Sequence, residues 1–345
     1  MAAVVLGGVA YFTASGKKMK TPSLVGKKIL PAFNLADVAT VDLTGEKPLT
    51  LAATDAGWVV KSLYDYPADV TKIRENLLKL QELKVGHVAN GRTIAAPVKV
   101  ALKNGAGQEL GALTLGETHM GKPRGQMAQF GGGGYPDGRY VKFGDGVVLV
   151  KDALDAFDGD PKKWCEARIC SVPSADVNAV SYTKDGKTVK LTRKDSTWSL
   201  EGLGAKEELD TSKTYSLDSA LSYLDFNNVA DPKKPEAEFG FATGSVYTVS
   251  LKNGQSYTAK VGAASGADRF FRVSAAFSPV GTNATENATL EKAVKDFNAK
   301  TGKWTYLISS YSADSMSKSR KDLVKAKEEP KKDEKKDAKK SDDKK

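Results

Sequence analysis

Ala153–Trp164 reads ALDAFDGDPKKW, and Ala293–Trp304 reads AVKDFNAKTGKW. Ala, Phe, Lys and Trp recur at an offset of 140 positions, and a match at one fixed period is the signature of a repeated unit. The correspondence extends outward in both directions. Asp37-Val38 answers Asp176-Val177 at offset 139, and the D-x-x-W of Asp55–Trp58 returns as Asp195–Trp198 at offset 140. Ile73, Leu77 and Leu80 are matched by Leu217, Leu221 and Leu224 at offset 144, and Arg139-Tyr140-Val141 by Arg269-Phe270-Phe271 at offset 130. So small a drift over so long a span points to tandem duplication. The shared residues of the opening string are mostly apolar, so it marks the close of each module rather than an active motif.

A chain of 345 residues holds two modules of roughly 140 residues, each large enough to bury a core without metals or disulfides. The expected division is residues 1–28 as apolar anchor or truncated signal plus linker, 29–172 as the first module, 173–312 as the second, and 313–345 as a disordered Lys-rich tail. Net charge is +10, but from Lys318 onward there are 13 Lys/Arg against 8 Asp/Glu, so half the excess sits in the last 28 residues. That segment has almost no apolar residues to offset its ordering entropy. A solvated tail with some affinity for anionic lipid headgroups fits it better than a specific nucleic-acid arm.

The apolar, charge-free run Ala2–Ala14 would span about 20 Å as a helix, short of a hydrocarbon core near 30 Å. With the polar linker KKMKTPS behind it, the run reads as part of a single-pass anchor or a signal, with a start internal to a longer segment. A buried strand is the alternative, disfavoured by Gly7-Gly8.

Short apolar runs with turn residues between them set the rest. In the first module Asp37–Leu43, Leu49–Ala53 and Trp58–Leu63 form a meander. Asp69 caps a helix that presents Ile73, Leu77 and Leu80 on one face. Hairpins follow around NGAGQE and GDG, then a short helix through Ala153, Leu154 and Phe157. The second module repeats the plan, with a helix from Thr211 or Ser212 through Leu224, a hairpin across Asn253-Gly254, and a closing helix carrying Leu290, Ala293, Val294 and Phe297. The expected fold class is α+β: a duplicated module with mainly antiparallel sheet and two helices per module.

ILPAFNLADVATVDL, the D-x-x-W turn and YPADVTKIRENLLKLQELKV resemble the bacterial family called domain of unknown function 4340, over nearly all of residues 29–311. The resemblance implies an envelope protein that accompanies an ABC-type transport system like those of gliding-motility and auxiliary-component operons. It implies an inner-membrane anchor with the body in the periplasm, an ABC-type permease or auxiliary subunit as partner, and no assigned catalytic residues.

No reaction is legible in the residues themselves. Gly105, Gly107 and Gly111 imitate a dinucleotide fingerprint, but the spacing is wrong and a strand follows. Gly131–Gly134 lacks the G-K-[ST] of a phosphate loop. His87 and His119 are the only histidines, too few for a His-rich metal site, and His87 falls near the end of the first helix. No cofactor or metal is expected. Trp58, Trp164, Trp198 and Trp304 recur in register and read as packing residues. Asn283-Ala-Thr285 and Asn287-Ala-Thr289 read as loop chemistry. Cys165 and Cys170 have a spacing unlike zinc sites, and a local disulfide and two unpaired thiols stay open.

One asymmetry bears on function. Between Gly116 and Arg139 lie 22 residues, where the second module has 6 between Gly262 and Arg269. Long loops concentrate binding function, and this one carries His119, Arg124, Gln126, Phe130 and Tyr135, the expected partner-binding loop. The expectation is a non-enzymatic, membrane-anchored accessory subunit acting by protein contact or substrate presentation. Its competitors are a free-standing glycan or peptide binder and an envelope-polymer hydrolase.

Overall fold

A computed structural model of the chain describes residues 23–122, 134–214 and 216–327. The expected anchor and the end of the tail lie outside these residues. Among those described, no helix is long and apolar enough to cross a membrane.

In chain order the first strands are β1 (Thr40–Thr44), β2 (Leu49–Thr54), β3 (Gly57–Val60) and β4 (Tyr66–Pro67). Helix α1 (Val70–Glu82) follows, then β5 (His87–Val88), β6 (Val98–Lys103), β7 (Glu109–Gly121), β8 (Tyr135–Phe143) and β9 (Gly146–Val150). The later strands are β10 (Arg168–Cys170), β11 (Val177–Lys184), β12 (Lys187–Lys194), β13 (Thr197–Leu200), β14 (Glu207–Leu209), β15 (Leu224–Asp225) and β16 (Asn228–Val229). The last elements are β17 (Ser245–Leu251), β18 (Gln255–Ser265), β19 (Asp268–Phe277), α2 (Ala284–Thr301), β20 (Tyr306–Ser309), α3 (Ser310–Ser315) and β21 (Val324–Ala326). This is the expected α+β mixture of mostly antiparallel sheet.

The contacts divide the described residues into two compact units, one within 1–47 and 74–158 and the other within 48–73 and 159–345. In the first, β1, β6, β7, β8, β9 and β5 lie side by side in that order. Alternation buries one face: Val41 and Leu43 on β1, Val100 and Leu102 on β6, Leu113 and Leu115 on β7. Each such leucine or valine adds about 1.5–3 kcal/mol of burial free energy. Leu77 and Leu80 of α1 are buried as the periodicity predicts.

The second unit has an eight-stranded sheet in the order β13-β12-β11-β17-β18-β19-β20-β16. The Asn253-Gly254 hairpin forms as expected: Gly254 has φ +89°, and a Cβ there would fall 2.0 Å from the Ser278 carbonyl. The same unit holds the β2–β3–β4 meander and the start of α1, whose Asp69 Oδ1 accepts from the Thr71 and Lys72 amides at 2.9 and 3.2 Å, the expected cap. Tyr66 meets Phe226 and Trp304 at centroid distances of 5.1 and 4.9 Å, and Phe226 stacks on Tyr306. Of the tryptophans, Trp164 is fully buried, while Trp58, Trp198 and Trp304 are half-buried.

The helices depart from expectation in three places. Where a short helix was expected after Ala153, two 3-10 turns form, Asp155–Asp158 and Pro161–Trp164. Gly159 between them has φ +84°, and Pro161 cannot donate within a helix. The described residues of 211–224 form a 3-10 turn at Thr211–Lys213 and further turns, not an α-helix, although Leu217, Leu221 and Leu224 are buried. In α2 only Val294 of the expected stripe is buried; Leu290 and Phe297 are half-buried and Ala293 is exposed.

Two further corrections concern ends. Asn283 is the N-cap of α2 and Thr285 lies within it, so these residues are helix start rather than loop. Residues 313–327, read as tail, are structured: Ala313, Met316 and Leu323 are fully buried, and β21 pairs with β14. Three buried apolar side chains and the β14–β21 pairing anchor them.

Candidate functional site

Strands β7 and β8 form a ribbon that reaches beyond the sheet-like register of its base. Leu115 lies opposite Val141, Thr118 opposite Arg139, His119 opposite Gly138 and Gly121 opposite Tyr135. The expected 22-residue loop is therefore strand at both ends. His119 and Tyr135 are strand residues, not loop residues, because backbone pairing continues past Gly116. Arg124, Gln126 and Phe130 lie outside the described residues. Close approach explains the glycine opposite His119: a Cβ on Gly138 would fall 2.4 Å from the Val150 carbonyl.

At the base of the ribbon, a cavity of about 430 Å³ is lined by His87, Val88, Arg92, His119, Tyr140 and Leu149, among others. Both histidines of the chain meet here. His87 belongs to β5 rather than to the end of α1, and β5 reaches the site by pairing with Leu149 of β9.

Tyr140 is the centre of the arrangement. The guanidinium carbon of Arg92 lies 3.7 Å from its ring centroid, and the His119 imidazole meets the ring edge-on at 5.8 Å. Arg92 Nη2 also donates to Glu117 Oε1 at 3.0 Å. The Glu117 carboxyl is held below its ordinary value by its own backbone N–H first and by Arg92 second. His119 Nδ1 lies 2.5 Å from Asp137 Oδ1. A proton on Nδ1 would bond to the carboxylate and leave Nε2 as an acceptor, the usual orienting role of such a carboxylate.

The neighbouring Arg139 is only 7% exposed. Its Nε donates to the Gly116 carbonyl at 2.9 Å and its Nη1 to the Leu154 carbonyl at 3.1 Å, which fixes β8 against β7 beside the site. Burial lowers its pKa, and Asp158 and Asp155 oppose that shift.

Chemically the cavity offers a guanidinium, an oriented imidazole and a phenol on a shallow concave surface, within the size range of ligand pockets. In the sequence comparison of the two halves Phe270 aligns with Tyr140; unlike Tyr140 it is buried, with Ala230 and Phe239 in its apolar cluster. The sequence signals of this site were the long Gly116–Arg139 segment with His119 in it and the Tyr-for-Phe difference at aligned positions. The His119–Asp137 pair and the approach of His87 depend on strand register, which the sequence does not display.

Cys165 and Cys170 are both unpaired and buried, so the disulfide alternative is not the one found. The chain runs from Cys165 into strand β10 instead of making the turn that a bridge requires. Cys165 Sγ approaches the Pro161 carbonyl at 3.5 Å, and burial pushes both thiols up to about 12. Among the described residues no group of three or more His, Cys, Asp or Glu is placed to hold a metal ion.

Searches of curated proteins and of solved structures find no match to this chain. The family model described as Domain of unknown function (DUF4340) matches residues 58–243, more than half of the 345 residues. On that match, which takes in the Trp58 strand, the helix introduced by YPAD, and the ribbon with its cavity, the chain belongs to the DUF4340 family.

Proposed function

We propose that the protein is a membrane-tethered envelope subunit that works beside an ABC-type transport system by binding, not by catalysis. The carrying observation is the cavity beneath the β7–β8 ribbon, open and polar around Tyr140 where the second half buries Phe270. A site elaborated in one half only, at the base of the one long insertion, is where a partner or cargo is best received. The resemblance supplies the transport setting, the periplasmic body and the inner-membrane anchor.

Tandem duplication is part of this reading, and paired geometry supports it. Val41 lies opposite Leu102 and Val180 opposite Val249; Val100 lies opposite Leu113 and Tyr247 opposite Ala259. A 3-10 turn precedes each first strand, at Leu35–Asp37 and Ser174–Asp176. Division of labour follows naturally, with one copy kept as a packed core and the other opened for contact.

A free-standing glycan binder would need an aromatic face for a sugar ring, and one face of Tyr140 is covered by Arg92. A hydrolase would need a nucleophile within reach of His119 Nε2. The discriminating experiment is affinity purification of the full chain from membranes in mild detergent, alongside an Arg92→Ala/Tyr140→Phe variant. Recovery of an ABC permease by the wild type and its loss in the variant is the expected result. Clean absence of any permease from the wild-type eluate would refute the proposal.

A further inference from the structure

Away from the ribbon, the second unit holds a larger cavity of about 800 Å³ between the β11–β12 turn, β14 and the segment from Lys318 to Ala326. Its walls carry Lys184, Lys187, Lys206, Lys318, Arg320 and Lys321, against the carboxylates Asp185 and Glu207. Glu207 is already engaged: it pairs with Arg320 at 2.5 Å and accepts from the Gly204 amide at 2.9 Å. Asp322 lies near Lys184 and Lys321, but it accepts from the Ser319 amide and hydroxyl. Among the described residues no ion-pair contact is made by Lys184, Lys187, Lys206 or Lys321.

The backbone enforces this crowding. Lys184 and Lys187 are direct cross-strand partners at the end of the β11–β12 hairpin, a placement that repels unless an anion lies between or beside them. Lys318 is drawn in from the far side, donating to Ser216 Oγ at 3.0 Å, and burial with the neighbouring Lys213 holds its ammonium below its ordinary value. Val189 and Val324 add apolar surface to the lining among the charges.

An adjoining feature points the same way. Lys184 also lines a second cavity, of about 340 Å³, with Arg269, Thr243, Ser245 and Ser317. Arg269 Nε there is buried with no hydrogen-bond partner among the described residues, whereas the matching Arg139 Nε is satisfied by Gly116. A buried donor without an acceptor is a place where an anionic oxygen is favoured.

We propose that the Lys184–Lys187–Lys206–Lys321 cavity is a binding site for a multiply charged, phosphate-bearing ligand. Ammonium groups on flexible stems suit phosphate as point charges, and a cavity of this volume takes several phosphates at once. The ligand's source is either a soluble phosphate compound or the headgroups of an anionic membrane. This site is independent of the ribbon cavity and of the transport reading.

The test uses the full chain. Tripolyphosphate binding is measured by calorimetry, and cosedimentation is measured with phosphatidylcholine vesicles with and without phosphatidylglycerol. A Lys187→Glu/Lys206→Glu/Lys321→Glu variant alters only exposed side chains, and Lys79→Glu/Lys142→Glu/Lys233→Glu matches its net charge elsewhere on exposed sites. The expected result is salt-sensitive binding that falls at least about tenfold in the cavity variant and stays within about twofold in the control. Loss of tripolyphosphate binding supports a soluble source, and loss of vesicle binding alone supports headgroups. Equal losses in both variants, or no binding to either probe at low salt, would overturn the site. So would binding that vanishes when the lysines of 331–345 are changed to Gln but survives the cavity variant.

Discussion

Arg139 donates from Nε to the carbonyl of Gly116 at 2.9 Å, and the residue that matches it in the second half, Arg269, reaches from Nη1 to the carbonyl of Gly262 at 3.4 Å. Each guanidinium thus ties its own strand to the strand before it, β8 to β7 and β19 to β18. Only Arg139 adds a second bond, to Leu154, which ties the end of β9 and the following turns to the ribbon.

Replacing Arg139 by Met removes both bonds and leaves two carbonyls beside a buried apolar chain. The expected cost is about 2–4 kcal/mol, read from chemical denaturation. Arg269→Met, with one long bond to lose, is expected to cost about 1 kcal/mol or less. Equal losses would contradict the asymmetry.

Gly138→Ala tests the close approach of β8 to β9. The added Cβ would fall 2.4 Å from the Val150 carbonyl, so the strands must shift. A loss of about 1–3 kcal/mol is expected, with the His119 signals in an NMR spectrum displaced because His119 lies opposite Gly138.

Alkaline stability follows from the thiols. An unfolded cysteine ionises near 9, and burial raises Cys165 and Cys170 to about 12, so the folded state keeps protons that the unfolded state releases. The contribution is complete below pH 9 and is lost as pH rises from 9 toward 12. Tyr66, raised by burial to about 12, adds to the same trend over the upper part of that window. Denaturation midpoints across pH 8–11 should fall, and a Cys165→Ala/Cys170→Ala variant should fall less steeply. In the native wild type at neutral pH, iodoacetamide should react slowly with both thiols.

Arg92→Ala probes the ribbon cavity without threatening the fold. Its pair with Glu117 is about 40% exposed on both sides, and its stack on Tyr140 is at the surface. Stability should change by less than about 1 kcal/mol, while under the proposed function recovery of an ABC-type permease drops. A variant that unfolds instead would place Arg92 in the core's support.

Much of the architecture was legible because local chemistry and burial agreed. Asp69 followed by apolar residues at helical spacing gave α1, and Asn253-Gly254 gave its hairpin. The failures have physical causes that lie elsewhere in the chain. The carbonyl of Leu217 accepts the Tyr247 hydroxyl, and that of Leu221 accepts the Val172 amide, so the segment through Leu224 bonds outward instead of along a helix. Its Ser, Thr and Asp content also favours turns. In the first half Gly159 and Pro161 interrupt what Ala299 and Thr301 allow α2 to continue. The ribbon cavity was hidden because His87, Arg92, His119 and Asp137 come together only through the pairing of β5 with β9 and β7 with β8.

The meeting of His87 and His119 at one cavity has a practical spectroscopic consequence. With two imidazoles in 345 residues, each gives one pair of ring C–H signals in a proton spectrum, and both pairs come from residues that line the same cavity. The protein carries its own reporter: whatever enters beneath the ribbon announces itself in those lines, without a label and without knowledge of what it is.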